Sequence, residues 1–471
     1  MWSKLSTIYY KIGLVLAMLV YLGLTCSYID NGHNWGGDFA LYISQSKALL
    51  VGQTDQLYLA SKSSCEHSYY RMNPDLYPPG FPVLLAPVYA LFGLNFLFLK
   101  GVVIFCFLGS LLLIYTLFKI IAGKIEAIIT VSLLGASTVF VQHSNYILAD
   151  IPAMLWVLLG LYLQVKLPNK TIKQVYLKQV VLAFVCVLAY QTKALSIVLF
   201  ITLFFYQVVQ LFTQLSVKSI LILVLTFISI NALFVLLYPH AGGGYDAQAS
   251  TISWQTIQAN LQYYKYAPKW FLYNSNLWLW LTLPMLVLGI ITHYKTHFMY
   301  VLFMFIQLSV LIVWPFQEGV RFILVLIPFY FLFAMLGYRF LANKLIAPHV
   351  YKLHAHYVVF VAILAYSLFA SYQLVAKQKG SQNEIGSADA KALFTFVDSH
   401  TKSTDKLIFF KPNVLRLLAQ RESVYLLERN AIAMSKADWW IYKHGDMPAD
   451  TTGLQPVFTN GTFTVFKLKM K

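Results

Sequence analysis

The sequence predicts a mainly α-helical, polytopic membrane protein of about eleven spans with a small C-terminal α/β domain. Three observations carry this. Residues are 59% hydrophobic against 11% charged, and mean hydropathy is +0.65, which excludes an ordinary soluble domain. Apolar runs of span length, about 17–25 residues, recur as far as residue 374. From Lys377 the composition shifts to fourteen Lys or Arg and nine Asp or Glu, a local net of +5.

The formal charge of +17 does not point to nucleic acid. Its Lys and Arg sit mostly in short loops between apolar runs, where they report topology, and no basic stripe accompanies them. Cys26, Cys106 and Cys186 lie in or beside apolar runs and Cys65 in a polar loop, so no disulfide framework is read.

In chain order, the first span is 12–29. It follows Lys4 and Lys11 and lacks a small-residue cleavage site, so it is retained. A long outer loop, 30–97, comes next. Its stretch Trp35-Gly-Gly-Asp-Phe-Ala-Leu-Tyr42 opens an amphipathic helix expected to lie in the interface plane. Phe39, Tyr42, Ile43, Leu49 and Leu50 lean one way, Ser44, Gln45 and Lys47 the other. An acid before such a run also suits a helix N-cap. Residues 80–94 are apolar, short and Pro-rich, and fit a re-entrant or juxtamembrane helix.

Further spans are expected at 98–118, 125–143, 151–167, 177–190, 194–213, 219–238, 277–292, 298–314, 320–338 and 356–374. Gln191-Thr192-Lys193 divides one long apolar stretch into the fifth and sixth spans. If 80–94 does not cross, then Lys4, Lys11, Lys119, Lys124, Lys166, Lys170, Lys173, Lys178, Lys218, Lys295, Arg339, Lys344 and Lys352 share one side. The positive-inside rule makes that side, and the N-terminus, cytoplasmic at the inner membrane. Of the nine acids before residue 377, all but Glu126 then fall on the outer side or its interface. A second outer loop, 239–276, opens with Ala241-Gly-Gly-Gly-Tyr245 and is rich in Trp and Tyr. The terminal domain, 377–471, is read as extracytoplasmic, with strands at Lys406–Phe410, Ser423–Leu426, Trp439–Tyr442 and Thr462–Leu468. Its helices are Ala388–Ser399 and Pro412–Ala419.

Chemistry converges on the outer face. Asp38 and Asp150 stand at helix or span boundaries with apolar neighbours, where a carboxylate is costly and therefore informative. Lys193 and Arg321 sit at the outer ends of spans. Two acids beside such cations suit a phosphodiester-linked donor: the cations neutralise a lipid phosphate leaving group and an acid takes the proton of an attacking hydroxyl. Each cation alone is also explained as an interface snorkeller. Cys65, Glu66 and His67 fit a solvated loop better than a zinc site.

The order of motifs is Gly37-Asp38 with Tyr42, Tyr77-Pro-Pro-Gly-Phe-Pro82 followed by Leu91-Phe-Gly93, Leu148-Ala-Asp-Ile-Pro152, Thr192-Lys193, and Arg321-Phe-Ile-Leu324. It resembles the GT-C class of integral-membrane glycosyltransferases, in particular bacterial relatives of dolichyl-phosphate-mannose protein mannosyltransferases and of the lipid A aminoarabinose transferase, over about residues 10–340. The resemblance implies an inverting transfer of a sugar from a polyprenyl-phosphate donor to a hydroxyl on a lipid, glycan or protein. It implies Asp38 as base, Asp150 as a second substrate-orienting acid, and Lys193 and Arg321 on the donor phosphate. Tyr77 is assigned beside that phosphate, and Tyr42 and Arg71 to substrate. Tyr77 stands where aminoarabinose transferases carry a Lys, which argues against that donor, and Phe39 stands where many relatives carry an acid or small polar residue. Metal dependence varies in the class; a divalent metal stays open, although no ligand set is read. The alternatives are a flippase or transporter of lipid-linked sugars, which needs charges near the midplane, and a polysaccharide polymerase or ligase, which needs basic residues in a late outer loop.

Overall fold

A computed structural model describes residues 2–68, 76–211, 216–241, 249–345, 357–378, 384–425, 437–445 and 454–468. Arg71, Asp75, Asp246, Lys352, the whole of the glycine-rich run after Ala241 and the side chains of Lys4 and His67 lie outside the described residues.

The first helices in chain order are α1 (Trp2–Tyr28), α2 (Asp38–Val51), α3 (Thr54–His67), α4 (Gly80–Phe92), α5 (Phe96–Ile121), α6 (Lys124–Gly135) and α7 (Thr138–His143). Next come α8 (Asp150–Lys166), α9 (Ile172–Thr192), α10 (Ile197–Gln210), α11 (Val217–Leu237), α12 (Trp254–Tyr264) and α13 (Ala267–Phe271). The last are α14 (Asn276–His293), α15 (Phe298–Val313), α16 (Ile327–Leu345), α17 (Val358–Gln378), α18 (Ala388–His400) and α19 (Pro412–Ala419). Seven segments among the described residues are long and apolar enough to cross a membrane: within α1, α5, α9, α11, α14 and α17, and Gly319–Lys344. The other four expected spans fall on shorter or broken helices. The 125–143 span divides at Ala136–Ser137, where the Ser137 side chain accepts from Val139 N and restarts the helix.

Helix starts follow capping chemistry. Asn95 accepts from Leu97 and Phe98 N. Thr171 and Gln174 form a capping box, and Ser275 accepts from Trp278 N. α14 and α16 pack backbone to backbone because glycines face each other. A Cβ on Gly289 would lie 1.9 Å from the Phe333 carbonyl, and one on Gly337 1.9 Å from that of Met285, the small-residue contact expected between membrane helices.

The expectation of α2 as an interface helix is corrected. Gln45 and Ser46 are buried along with Phe39, Tyr42 and Ile43, whereas Leu50 is exposed. α2 lies under α4, α3 and α19, so Gln45 and Ser46 meet protein rather than water, while Lys47 stays exposed. Gln45 Nε2 donates to the Tyr77 carbonyl (2.7 Å) and Ser46 Oγ to the Pro82 carbonyl (2.9 Å).

The loop 239–276 is also more structured than its composition indicates. Asn260 on α12 donates to the Ile312 (3.0 Å) and Trp314 (2.6 Å) carbonyls, satisfying orphan acceptors at the end of α15. Its Oδ1 accepts from Gln317 (3.0 Å), which fastens the segment leading to Arg321.

The C-terminal strands are β1 (Leu407–Ile408), β2 (Ser423–Val424), β3 (Trp439–Lys443), β4 (Pro456–Thr459) and β5 (Phe463–Lys467). They form one mixed sheet in the order β2-β1-β3-β5-β4, with β1 parallel to β2 and β3 and the rest antiparallel. β4 was not expected: it is a mostly exposed edge without apolar alternation. The sheet and its helices sit on the first loop. Trp35 N donates to Glu384 (2.7 Å), and the indole is ringed by Phe394, Phe409, Phe410 and Phe463 at 5.1–6.1 Å. Arg416 reaches Ala60 O (3.1 Å) and Ser64 Oγ (2.8 Å) on α3.

Candidate active site

Asp38 and Asp150 each occupy the first position of a helix, after Gly37 and Ala149, which make no side-chain cap. Their carboxylates stand near the positive ends of α2 and α8. They meet at one guanidinium. Arg321 Nη2 lies 2.9 Å from Asp38 Oδ2 and 3.3 Å from Asp150 Oδ2, although these partners are 283 and 171 residues away. Lys193 Nζ donates to Asp150 Oδ1 and sits 4.5 Å from the Phe322 ring centroid. Tyr77 Oη donates to Asp38 Oδ1 at 2.9 Å. Tyr42 stacks on Tyr77, with centroids 4.7 Å apart.

The local backbone explains these placements. Lys193 is extended (φ −153°, ψ 120°) between α9 and the 3-10 turn Ala194–Ser196, so the chain reverses there and presents the ammonium at the bundle end. Gly80 lets the Tyr77-Pro-Pro segment touch that reversal: an added Cβ would lie 2.6 Å from the Gln191 carbonyl carbon and oxygen. Arg321 is carried on the 3-10 turn Gly319–Leu326, which Gly319 enters at φ +62°.

Electrostatics separate the two acids. The Asp150 side chain is 3% exposed and that of Asp38 is 32% exposed. Burial acts to raise the Asp150 carboxyl, but Arg321 and Lys193 outweigh it and hold it below the ordinary carboxylate range. Asp150 is therefore a fixed anion closed between two cations, whereas Asp38 is the carboxylate an incoming molecule can reach. Glu318, 41% exposed, takes Arg321 Nη1 at 3.0 Å. With three carboxylates against two cations, 2 − 3 = −1, the cluster has no net positive charge to spare in this state.

Asp38, Asp150, Lys193, Arg321, Tyr77 and Tyr42 are thus brought together. Among the described residues no group of three or more His, Cys, Asp or Glu is arranged to hold a metal.

The sequence reading missed a supporting network. Lys100, fully buried at the head of α5, donates to the Asp30 carbonyl (2.7 Å), Asp30 Oδ1 (3.0 Å) and Asn145 Oδ1 (2.6 Å). Gln378 donates to Asp30 Oδ2 at 2.9 Å. His33 stacks on Phe39 (3.8 Å) and its Nε2 accepts from Ile147 N (3.0 Å). Burial pushes His33 down to about 3, so it is neutral and able to accept. Together these contacts tie the segment before Asp38 to the segment before Asp150. A lone lysine in the first turn of an apolar run was the available signal.

The chain matches no protein-family profile and no curated protein. Among solved structures it is similar to ArnT from Cupriavidus metallidurans bound to undecaprenyl phosphate, with TM-score 0.62, 13% identity and 98% of each chain covered. It is also similar to the oligosaccharyltransferase AglB from Archaeoglobus fulgidus in complex with an inhibitory peptide and a dolichol-phosphate, with TM-score 0.60 and 11% identity, over 93% of this chain and 70% of that one. At these identities the likeness is one of fold: the chain has the GT-C architecture that its motif order indicated.

Proposed function

We propose that the protein is an inverting glycosyltransferase that takes a sugar from a polyprenyl-phosphate donor and delivers it to a hydroxyl acceptor on a lipid, glycan or protein, at the non-cytoplasmic face of the membrane. One observation carries the reading: Arg321 joins a reachable carboxylate, Asp38, to a buried ion pair, Asp150–Lys193, at the ends of helices. Two further facts support it. ArnT is solved with undecaprenyl phosphate and AglB with dolichol-phosphate. The clustered charges lie at helix ends rather than midway along spans, which favours transfer over transport.

In this reaction the acceptor oxygen attacks the anomeric carbon and the Asp38 carboxylate takes the hydroxyl proton. The bond from the anomeric carbon to the phosphate oxygen breaks, and its electron pair leaves on polyprenyl phosphate. Spare N–H donors of Lys193 and Arg321 stabilise that leaving anion. Asp150 keeps both cations in place. Tyr77 orients Asp38 through its hydroxyl, and Tyr42 braces Tyr77 from its ring face. Arg71 is assigned to substrate on the sequence alone and lies outside the described residues. Because the cluster stands at −1, donor phosphate must displace Glu318 from Arg321 Nη1, and the partial exposure of Glu318 leaves it room to move.

The test incubates purified protein with a panel of polyprenyl-phosphate sugars and measures release of free polyprenyl phosphate. One or more donors should be turned over, and Asp38→Asn should abolish release while leaving folding and insertion intact. Normal turnover by Asp38→Asn sinks the assignment.

A further inference from the structure

At the opposite end of the bundle α8 finishes, α9 begins and α10 finishes, and a cavity of about 270 Å³ opens between them, lined by Gln164, Asn169, Lys178, Gln179 and Gln210. α8 has 17 residues, so this cavity lies about 25 Å from Asp150 at 1.5 Å of rise per residue. Lys178 is only 7% exposed. Its ammonium donates to the Gln164 carbonyl at 2.6 Å and has no carboxylate partner among the described residues.

The sequence accounts for the lack of a partner among the described residues. Between Asp150 and Glu318 the only acid is Asp246. Glu126, at the same end as Lys178, is taken by Arg339 (3.2 Å) and Tyr357 (2.9 Å). Gln164 Oε1 is also buried without a hydrogen-bond partner. A carbonyl alone is weak compensation for a buried ammonium; an anion from outside would complete it.

A second cavity of about 590 Å³ shares Val165, Tyr206 and Gln210 with the first and adds the exposed Lys295. Its rim carries Ile120, Val165 and Val209, all exposed aliphatics on the side of the bundle. Polar depth, a cationic mouth and an aliphatic rim match a lipid that places its headgroup inward and its chains along the helices.

We propose that these joined cavities bind the phosphate of an anionic phospholipid headgroup, with Lys178 as its principal contact and Lys295 at the entrance. The site is separate from the Asp38 cluster and does not depend on the reaction assigned there.

The test measures thermal unfolding of the purified full chain in neutral detergent with phosphatidylglycerol, phosphatidylcholine or inorganic phosphate added. Phosphatidylglycerol should raise the midpoint saturably and phosphatidylcholine should not. Lys178→Met should weaken the apparent affinity at least about tenfold. Gln210→Trp, which fills the neck shared by both cavities, should do the same with Lys178 present, and it carries the test alone if Lys178→Met does not fold. Equal shifts with both lipids, or a phosphatidylglycerol shift that survives in the variants, overturn the proposal. A Lys178-dependent shift produced as well by inorganic phosphate overturns the lipid assignment and leaves a site for a soluble anion.

Discussion

At the Asp38 end of the bundle, Asp38, Asp150 and Glu318 close on Lys193 and Arg321, and Asp30 on Lys100, with Asp150 and Lys100 buried and the other acids partly exposed. At the other end Lys166, Lys170, Lys173, Lys218 and Lys295 are exposed, and Glu126 pairs with Arg339. The same residue types serve two physical purposes. Charges that are matched, half-buried and contributed by distant segments are preorganised, the condition for acting on a developing charge without solvent reorganisation. Charges left unmatched at the surface lack that preorganisation and are the kind that reports topology in membrane proteins.

Arg321→Met breaks the contrast most severely. It should lower polyprenyl phosphate release by about a hundred- to a thousandfold, and the buried Asp150 keeps only Lys193. Turnover within a few-fold of wild type would show that the matched cluster is structural. Lys100→Met comes next. It strands Asp30 with Gln378, and removing one partner of such a buried pair costs about 3–5 kcal/mol, readable as a lowered unfolding midpoint. Gly80→Ala should destabilise by about 1–3 kcal/mol, because the new methyl meets the Gln191 backbone. Turnover should fall with it, since the same contact holds Tyr77 beside the Lys193 reversal.

His33 gives a pH signature to the Asp38 end. The folded chain keeps it neutral down to about 3, against an ordinary value of 6.5. Its contribution is therefore complete above pH 6.5 and is lost as pH falls toward 3, because the unfolded chain takes up a proton that the folded chain excludes. The slope is at most about 1.4 kcal/mol per pH unit, and a His33→Asn variant should show a flatter decline between pH 7.5 and 5. The smallest effect belongs to the other end: Lys170→Ser with Lys173→Ser should leave stability within about 0.5 kcal/mol. A larger loss would mean that end is also built from specific pairs.

Much of this was legible in the sequence because apolar run length and lysine position obey simple rules. The long apolar helices fall where the hydropathy put them, whereas the polar helix Thr54–His67 was not expected; Asp38, Asp150, Lys193 and Arg321 stood out because each is charged at the edge of an apolar run. Burial of α2 was not legible. Its Gln45 read as part of a wet face with Ser44 and Lys47, and only the segment Tyr77–Pro82 folded against it supplies the carbonyls that Gln45 and its neighbour Ser46 reach. Glu318 was visible as an acid, but its hold on Arg321 depends on the Gly319 turn. Lys100, His33 and Asn145 escaped because each finds its partner across 45 to 114 residues, which no local pattern encodes.

The grip on Trp35 has a consequence for biosynthesis. The first of the groups that hold Trp35, the Glu384 carboxylate on its backbone N–H, lies 349 residues further along the chain, and Asp38 follows only three positions after Trp35. On a ribosome the early helices enter the bilayer long before those phenylalanines exist. The loop bearing Asp38 therefore lacks these contacts until the closing segment is translated, and the charged cluster at Arg321 stays incomplete on any shorter nascent chain.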